Sequence, residues 1–179
     1  LPLLELKGFT GILNSCTNYL LDQMNEGLSL EDAVEKAKKI GITETDPSAD
    51  IDGWDAAIKV AALATVIMGI PLTPTQVKRN GIREITREMI NESLQKNEKW
   101  KLVCSAKRDG NRILEATVQP VSVQNSSPLY QINGTSSYVE FETGILPGLG
   151  IFERDPGPLT TAYGMFADLI SIYKKYYVY

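Results

Sequence analysis

Hydrophobic positions recur at helical spacing through the first hundred residues and switch to strand spacing beyond them. After a short opening segment, Leu13, Leu20, Leu21 and Met24 predict a buried helix over Ile12–Met24. Ser29 with Asp32 three residues on marks the start of a second helix, which Lys38-Lys39 and then Gly41 close. Glu44 to Gly53 reads as a polar loop feeding a helix from about Gly53 to Gly69, with Asp52 as its cap. Thr73-Pro74-Thr75-Gln76 carries a further helix-start signal, and a short helix is predicted over Thr86–Gln95. From Trp100 the period falls to two. Strands over Lys101–Lys107 and Arg112–Gln119 flank a hairpin turn at Asp109-Gly110. Tyr138–Thr143 alternates, Leu149–Arg154 is a shorter strand, and Asp155-Pro156-Gly157-Pro158 opens a last helix from Leu159 to about Tyr173. Helices, then strands, then a helix predict an α+β fold: a mainly antiparallel sheet covered by helices, with residues 1–179 in one domain.

Composition works mainly by exclusion. The chain is 43% apolar and 22% charged with a net charge of −4, so it has no basic surplus, and no Lys/Arg run is interleaved with aromatics; nucleic acid is not an expected partner. The longest mainly apolar stretch, Val60–Leu72, is too short to cross a bilayer, and no membrane partner is expected. Two cysteines, Cys16 and Cys104, are too few for a disulfide framework and fit a reducing cytoplasm. Leu1-Pro2-Leu3-Leu4 follows no basic segment and no methionine, which predicts a chain that has lost what came before it. Histidine is absent altogether. That removes Ser–His and Cys–His nucleophile systems and most zinc sites, leaving acid–base chemistry to carboxylates, Lys, Tyr and Cys.

Those groups concentrate between Glu44 and Lys59, which hold five acids and one lysine at the start of an apolar helix. From Ala56 to Ile70 only Lys59 and Thr65 are polar, so most of the helix circumference is expected to be buried. A lysine on such a helix needs a partner or a route to water. Asp55 precedes it by four residues, the favourable order for an ion pair, and Asp50 and Glu44 can fold back toward the same end. The residues alone support two readings. In one, the acids bind a ligand's ammonium while the lysine handles a proton; in the other, the group is a structural ion-pair cluster beside a solvated loop. Cys16, without histidine, reads as a packed small residue rather than a nucleophile. No G-x-G-x-x-G lies between a strand and a helix, so the chain shows no dinucleotide fold of its own.

Two segments carry a family likeness. Gly11-Ile12-Leu13-Asn14-Ser15-Cys16-Thr17-Asn18-Tyr19-Leu20-Leu21 resembles the homoserine dehydrogenase signature G-I-x-N-G-T-T-N-Y-I-L, and Glu44 to Lys59 resembles that family's E-x-D-P-x-x-D-x-x-G-x-D-x-x-x-K. Gly81-Ile82, the strand pair after Trp100, Thr161-Ala162 and Ala167-Asp168-Leu169 follow the family's order, so the likeness covers essentially the whole chain. The resemblance implies an α+β substrate-binding, catalytic and dimerisation domain that works with a separate Rossmann domain. The implied reaction is reversible hydride transfer between NAD or NADP and the pair homoserine and aspartate semialdehyde. Lys59 then matches the catalytic lysine, Asp55 and Asp50 the acids beside it, and Glu44 the carboxylate for the substrate's amino group. A homodimer is the implied assembly, and a small molecule the partner.

Three departures from the pattern carry expectations. Ser15-Cys16 replaces Gly-Thr, placing Cys16 where a substrate-contacting threonine belongs. Glu153-Arg154-Asp155-Pro156-Gly157 replaces a glycine-rich turn, so Gly157 alone keeps the cofactor-side pattern and Asp155 brings a charge to it. Leu6-Lys7 joins the family's opening helix to the next strand with fewer residues than usual, which predicts a break between these two alpha carbons. The rivals to a homoserine dehydrogenase are a related oxidoreductase for another amino-acid-like aldehyde or alcohol and a non-catalytic oligomerisation module.

Overall fold

The computed structural model describes residues 4–146 and 148–177. β1 (Leu6–Ile12) leads into α1 (Ser15–Asn25) and α2 (Leu30–Lys39), followed by the single turn α3 (Ser48–Ile51) and α4 (Trp54–Val66). A 3₁₀ turn at Pro74–Gln76 precedes β2 (Lys78–Arg79) and α5 (Arg87–Gln95). The long hairpin β3 (Glu98–Asp109) and β4 (Arg112–Gln124) comes next, then a 3₁₀ turn at Pro128–Gln131, β5 (Ser137–Thr143), β6 (Leu149–Glu153) and α6 (Pro158–Tyr177). The six strands form one sheet in the order β2-β4-β3-β1-β5-β6, antiparallel throughout except where β2 runs parallel to β4. The architecture is the α+β sheet-and-helix arrangement that the periodicity predicts.

Local chemistry sets the boundaries. Ile12 still pairs with Tyr138 in β1, so α1 starts later than its apolar pattern suggests, at the point where extended Asn14 accepts the Thr17 N–H as cap. Ser29 caps α2 by accepting from Asp32 N and donates to the Asp32 carboxylate, as expected. Asp52 does not cap α4. That helix begins on Gly53 in the left-handed region, and Asp52 instead receives a two-pronged contact from Arg83, at 3.0 and 2.8 Å. Thr73-Pro74 opens only a 3₁₀ turn. Leu6 and Lys7 are consecutive residues of β1, so the expected break is absent; a register shift against β5 between Leu6 and Gly8 absorbs the irregularity.

α1, α4 and α5 pack against β3 and β4 and bury Phe9, Leu20, Leu21, Val60, Leu102 and Val118 between the layers. Small residues on the inner side of α4 (Ala56, Ala57, Ala61, Ala64) let it lie close to the sheet. The expectation that most of the α4 circumference is buried fails. Trp54, Ile58, Ala62 and Val66, each four residues from the next, form an exposed apolar stripe, and Lys59 beside them reaches solvent. An apolar pattern on every face reports no preferred side, so burial there could not be read from spacing. α6 shows the same feature more strongly: none of its residues is buried, and Leu159, Tyr163, Met165, Phe166 and Leu169 are all exposed.

The turn at Gly81 locks the helical layer to the sheet. Ile82 N donates to Ile51 O at 2.8 Å, and a Cβ on Gly81 would fall 2.1 Å from that same oxygen and 2.6 Å from Asp52 Cα. Gly81→Ala therefore forces α3 away from the β2–α5 connection. The expected cost is about 1–3 kcal/mol of stability, the usual scale for overpacking, read as a lower urea midpoint with an unchanged slope. An unchanged midpoint would remove the close contact from the account.

Candidate active site

The site grows from the junction of β1 and α1. Asn14, 3% exposed, uses its side-chain oxygen to accept Thr17 N at 2.7 Å and the Thr17 hydroxyl at 2.9 Å. That fixes the direction of its amide nitrogen, which donates to Asp50 Oδ1 and to Asp55 Oδ2, both at 2.6 Å. Asp55 Oδ2 also meets Lys59 Nζ at 2.8 Å, one helical turn along α4. Asp50 arrives on α3, Asp55 and Lys59 on α4, and Gly53 between the helices supplies the left-handed turn that brings both carboxylates to one amide. A side chain whose role the sequence pattern does not reveal thus organises three that it singles out. The available signal is its place inside the first signature, at the helix cap.

Cys16 lies one residue into α1, 7% exposed, with Asp50 and Asp55 close enough to act on it electrostatically. Burial above all pushes its thiol up to about 12; the Thr43 hydroxyl, otherwise unpartnered, opposes the rise, and Asp50 and then Asp55 add to it. Cys104, on β3 under the same cluster, is likewise pushed up to about 12 by burial, with Asp55 adding to the rise and Lys59 and the Leu13 backbone opposing it. Neither thiol is a nucleophile at neutral pH, and neither forms a disulfide. Cys16 is a neutral wall of the site.

The structure does not draw every candidate in. Glu44 is exposed on the loop after α2, and among the described residues no polar contact ties it to Asp50, Asp55 or Lys59. Gly157 lies before α6, where a Cβ would meet nothing within 4 Å, so the chain itself has no steric need for glycine there. The Asp155–Gly157 turn is nevertheless tied to the α1 end of the sheet. Ser136 Oγ donates to Asp155 Oδ1 and accepts Asp155 N, each at 3.1 Å, and the next residue, Ser137, meets Ser15 across 3.3 Å. A cavity of about 640 Å³ lies elsewhere; Trp54, Arg79, Arg83 and Trp100 line it, and none of Asp50, Asp55 and Lys59 does. The lysine–carboxylate cluster is a half-open surface site. Its chemistry, not the size of an enclosed space, is what marks it as the candidate.

A family model described as homoserine dehydrogenase matches residues 2–170. A homoserine dehydrogenase of Methanocaldococcus jannaschii is 40% identical over 172 residues, covering 96% of this chain and 49% of that protein. An NAD(+)-dependent homoserine dehydrogenase of Pseudomonas canavaninivorans is 32% identical over 171 residues, with 96% and 49% covered. Among solved structures, a hyperthermophilic archaeal homoserine dehydrogenase mutant in complex with NADPH superposes with a TM-score of 0.77 at 31% identity, covering 97% of this chain and 49% of that one. The chain spans about half the length of the curated relatives it matches.

The thiol environment gives a direct check. A thiol-specific reagent at pH 8 should leave Cys16 and Cys104 unmodified in the folded protein and label both after unfolding, since the folded thiols ionise only toward pH 12 and the unfolded ones near their ordinary 9.0. Fast labelling of Cys16 at pH 8 in the folded state would contradict its place in the wall.

Proposed function

Because the chain belongs to the homoserine dehydrogenase family, we propose that it is the substrate-binding and catalytic half of an enzyme interconverting homoserine and aspartate semialdehyde. The observation that carries this reading is the Asn14 amide holding two carboxylates at 2.6 Å, one of them joined to Lys59. An exposed i,i+4 ion pair stabilises a helix by only about 0.3–0.5 kcal/mol. Bringing a second carboxylate to the same amide adds a charge-assisted hydrogen bond but sets two anions side by side, and a substrate ammonium placed between them relieves the repulsion. Two anions on one neutral donor suit a cationic ligand better than they suit a purely structural pair.

When bound, NAD or NADP accepts or supplies the hydride. In the reducing direction the carbonyl oxygen of the substrate gains negative charge, and Lys59, on its exposed helix face, donates a proton to it; in the oxidising direction the lysine takes that proton from the homoserine hydroxyl. Asp55 orients the ammonium through its 2.8 Å contact, and Asn14 keeps Asp55 from turning away. Asp50 and Asp55 flank the substrate's amino group, and Glu44, exposed on the preceding loop, is the further carboxylate that the family pattern assigns to it. Cys16 offers only a weak donor where the family pattern has a hydroxyl, and Thr43 is the nearby hydroxyl able to stand in for it. Gly157 fits the cofactor's nicotinamide end, since open space lies where its side chain would be. The larger share of the dinucleotide belongs to a Rossmann domain outside this chain.

The same reading makes the protein a cytoplasmic homodimer. Among the described residues no helix is long and apolar enough to cross a membrane. β6 stands at the end of the strand order with Ile151 and Phe152 exposed, and an apolar edge strand of this kind favours a second copy. Sedimentation of the full-length enzyme at micromolar concentration should give a dimer; a monomer removes this part.

In the full-length enzyme, Lys59→Ala should lower turnover about 100-fold or more, with a smaller change in the Michaelis constant, the pattern of an interaction made mainly in the transition state. Turnover left intact with a lowered melting temperature would restore the ion-pair reading and the non-catalytic module with it.

A further inference from the structure

Among the described residues Lys101 is the charged group that is fully buried, and it takes no part in the substrate site. It points from β3 into the space beyond the end of β1, where α1 crosses the sheet, and its side chain is wholly buried. Its three donors are all engaged: Asn18 Oδ1 at 3.0 Å, Asp22 Oδ1 at 3.4 Å and the carbonyl of Ile132. Burial depresses the ammonium to about 8, against the pull of Asp22, with Lys99 adding a small repulsion. Taking an ammonium out of water is expensive, and apolar residues of similar size often stabilise a fold as well or better. Stability alone does not account for a lysine at this position.

The partners show what it organises. Asn18 donates to Ile132 O, Gly134 O and Ser136 O at 3.1, 3.0 and 3.3 Å, and Asp22 Oδ2 accepts Gly134 N at 2.6 Å. Lys101 therefore clamps the two α1 side chains that grip residues 132–136. That turn in turn grips the next one. Ser136 exchanges two hydrogen bonds with Asp155, and Thr135 Oγ1 donates to Pro156 O at 3.4 Å. Asp155 sits at φ +41°, a left-handed conformation that a non-glycine residue holds only when its surroundings impose it. The series runs from Lys101 through Asn18 and Asp22 to residues 132–136 and ends on Asp155–Gly157.

We propose that Lys101 is a positioning residue that, through Asn18, Asp22 and the 132–136 turn, fixes the Asp155–Gly157 turn relative to the Asn14 end of α1. The inference rests on the reading of Asp155–Gly157 as the cofactor side of the site, with Asn14, Asp55 and Lys59 as the substrate side. It places a residue outside both as the one that sets the spacing between them. Misplacement of reacting groups by about 1 Å costs on the order of 100-fold in rate, which is reason enough to spend a buried charge on registration.

Lys101→Met and Ser136→Ala in the full-length enzyme test this, followed by amide hydrogen exchange and by the dissociation constant for the reduced dinucleotide from its fluorescence. Lys101→Met should raise exchange about tenfold at residues 132–136 and 155–157, leave the β3–β4 hairpin unchanged, and weaken dinucleotide binding about tenfold, a modest share of what misplacement can cost. Ser136→Ala, which removes only the last link, should raise exchange at 155–157 alone and weaken binding similarly; it keeps the test decisive if Lys101→Met fails to fold. Unchanged exchange at 155–157 in the folded variants, or a uniform rise across the domain, overturns the proposal. So does a loosened pair of turns with unaltered dinucleotide affinity. A wild-type enzyme that binds no dinucleotide overturns instead the reading on which the proposal rests.

Discussion

Asn14 has four hydrogen-bonding positions and every one is filled: two on the oxygen by Thr17, two on the nitrogen by Asp50 and Asp55. It follows β1 by two residues and its side chain caps α1, so the end of an interior strand, the first helix and the α3–α4 turn meet at a single amide. The orientation is not free to change. Turning the amide over would point a carbonyl oxygen at two carboxylates and an N–H at the Thr17 N–H, losing three of the four contacts and keeping only the Thr17 hydroxyl, now as acceptor. Lys59 takes its direction from Asp55, and Asp55 from Asn14. The rest of the site is a consequence of that one fixed group.

The fold is legible in the sequence where local rules and tertiary packing agree. Ser29 with Asp32, and Asp109-Gly110 between alternating runs, name their structures because the responsible contacts lie within three residues. β1 is not legible: its Gly8 and Gly11 leave too few side chains to show a strand period, and its identity comes from pairing with β3 and β5 far along the chain. The exposure of α4 is hidden for the opposite reason, an excess of apolar residues on all sides. At the site, the spacing of Asp55 and Lys59 suffices to find the ion pair. Asn14 gives no such signal because its partners are 36 and 41 residues away, and Lys101 gives none because a lysine in an alternating strand reads as solvent-facing until Ile132 folds over it.

Exposed apolar surface is unevenly distributed over the molecule. The helices that pack on the sheet are inwardly complete, whereas α6 and the outer stripe of α4 carry large hydrophobic side chains facing water. Apolar exposure on this scale is the kind that contact surfaces carry, and the chain spans about half the length of the curated relatives it matches. The cluster of Asp50, Asp55 and Lys59 lies open in the same way, and the two kinds of exposure have one cause if the opposite wall of the site and the cover of these helices are the same neighbour.

Asparagine followed by a small residue is a common place for proteins to age, because the next backbone nitrogen can attack the side-chain carbonyl and release ammonia. Asn14 precedes Ser15, and its conversion to aspartate would set three carboxylates against one another and remove the amide donor that Asp50 and Asp55 share, leaving Lys59 as the donor to Asp55. The attack requires the side chain to swing toward the Ser15 nitrogen, which the bonds to Thr17, Asp50 and Asp55 prevent. The contacts that order the acids thus also set the chemical lifetime of the group that orders them.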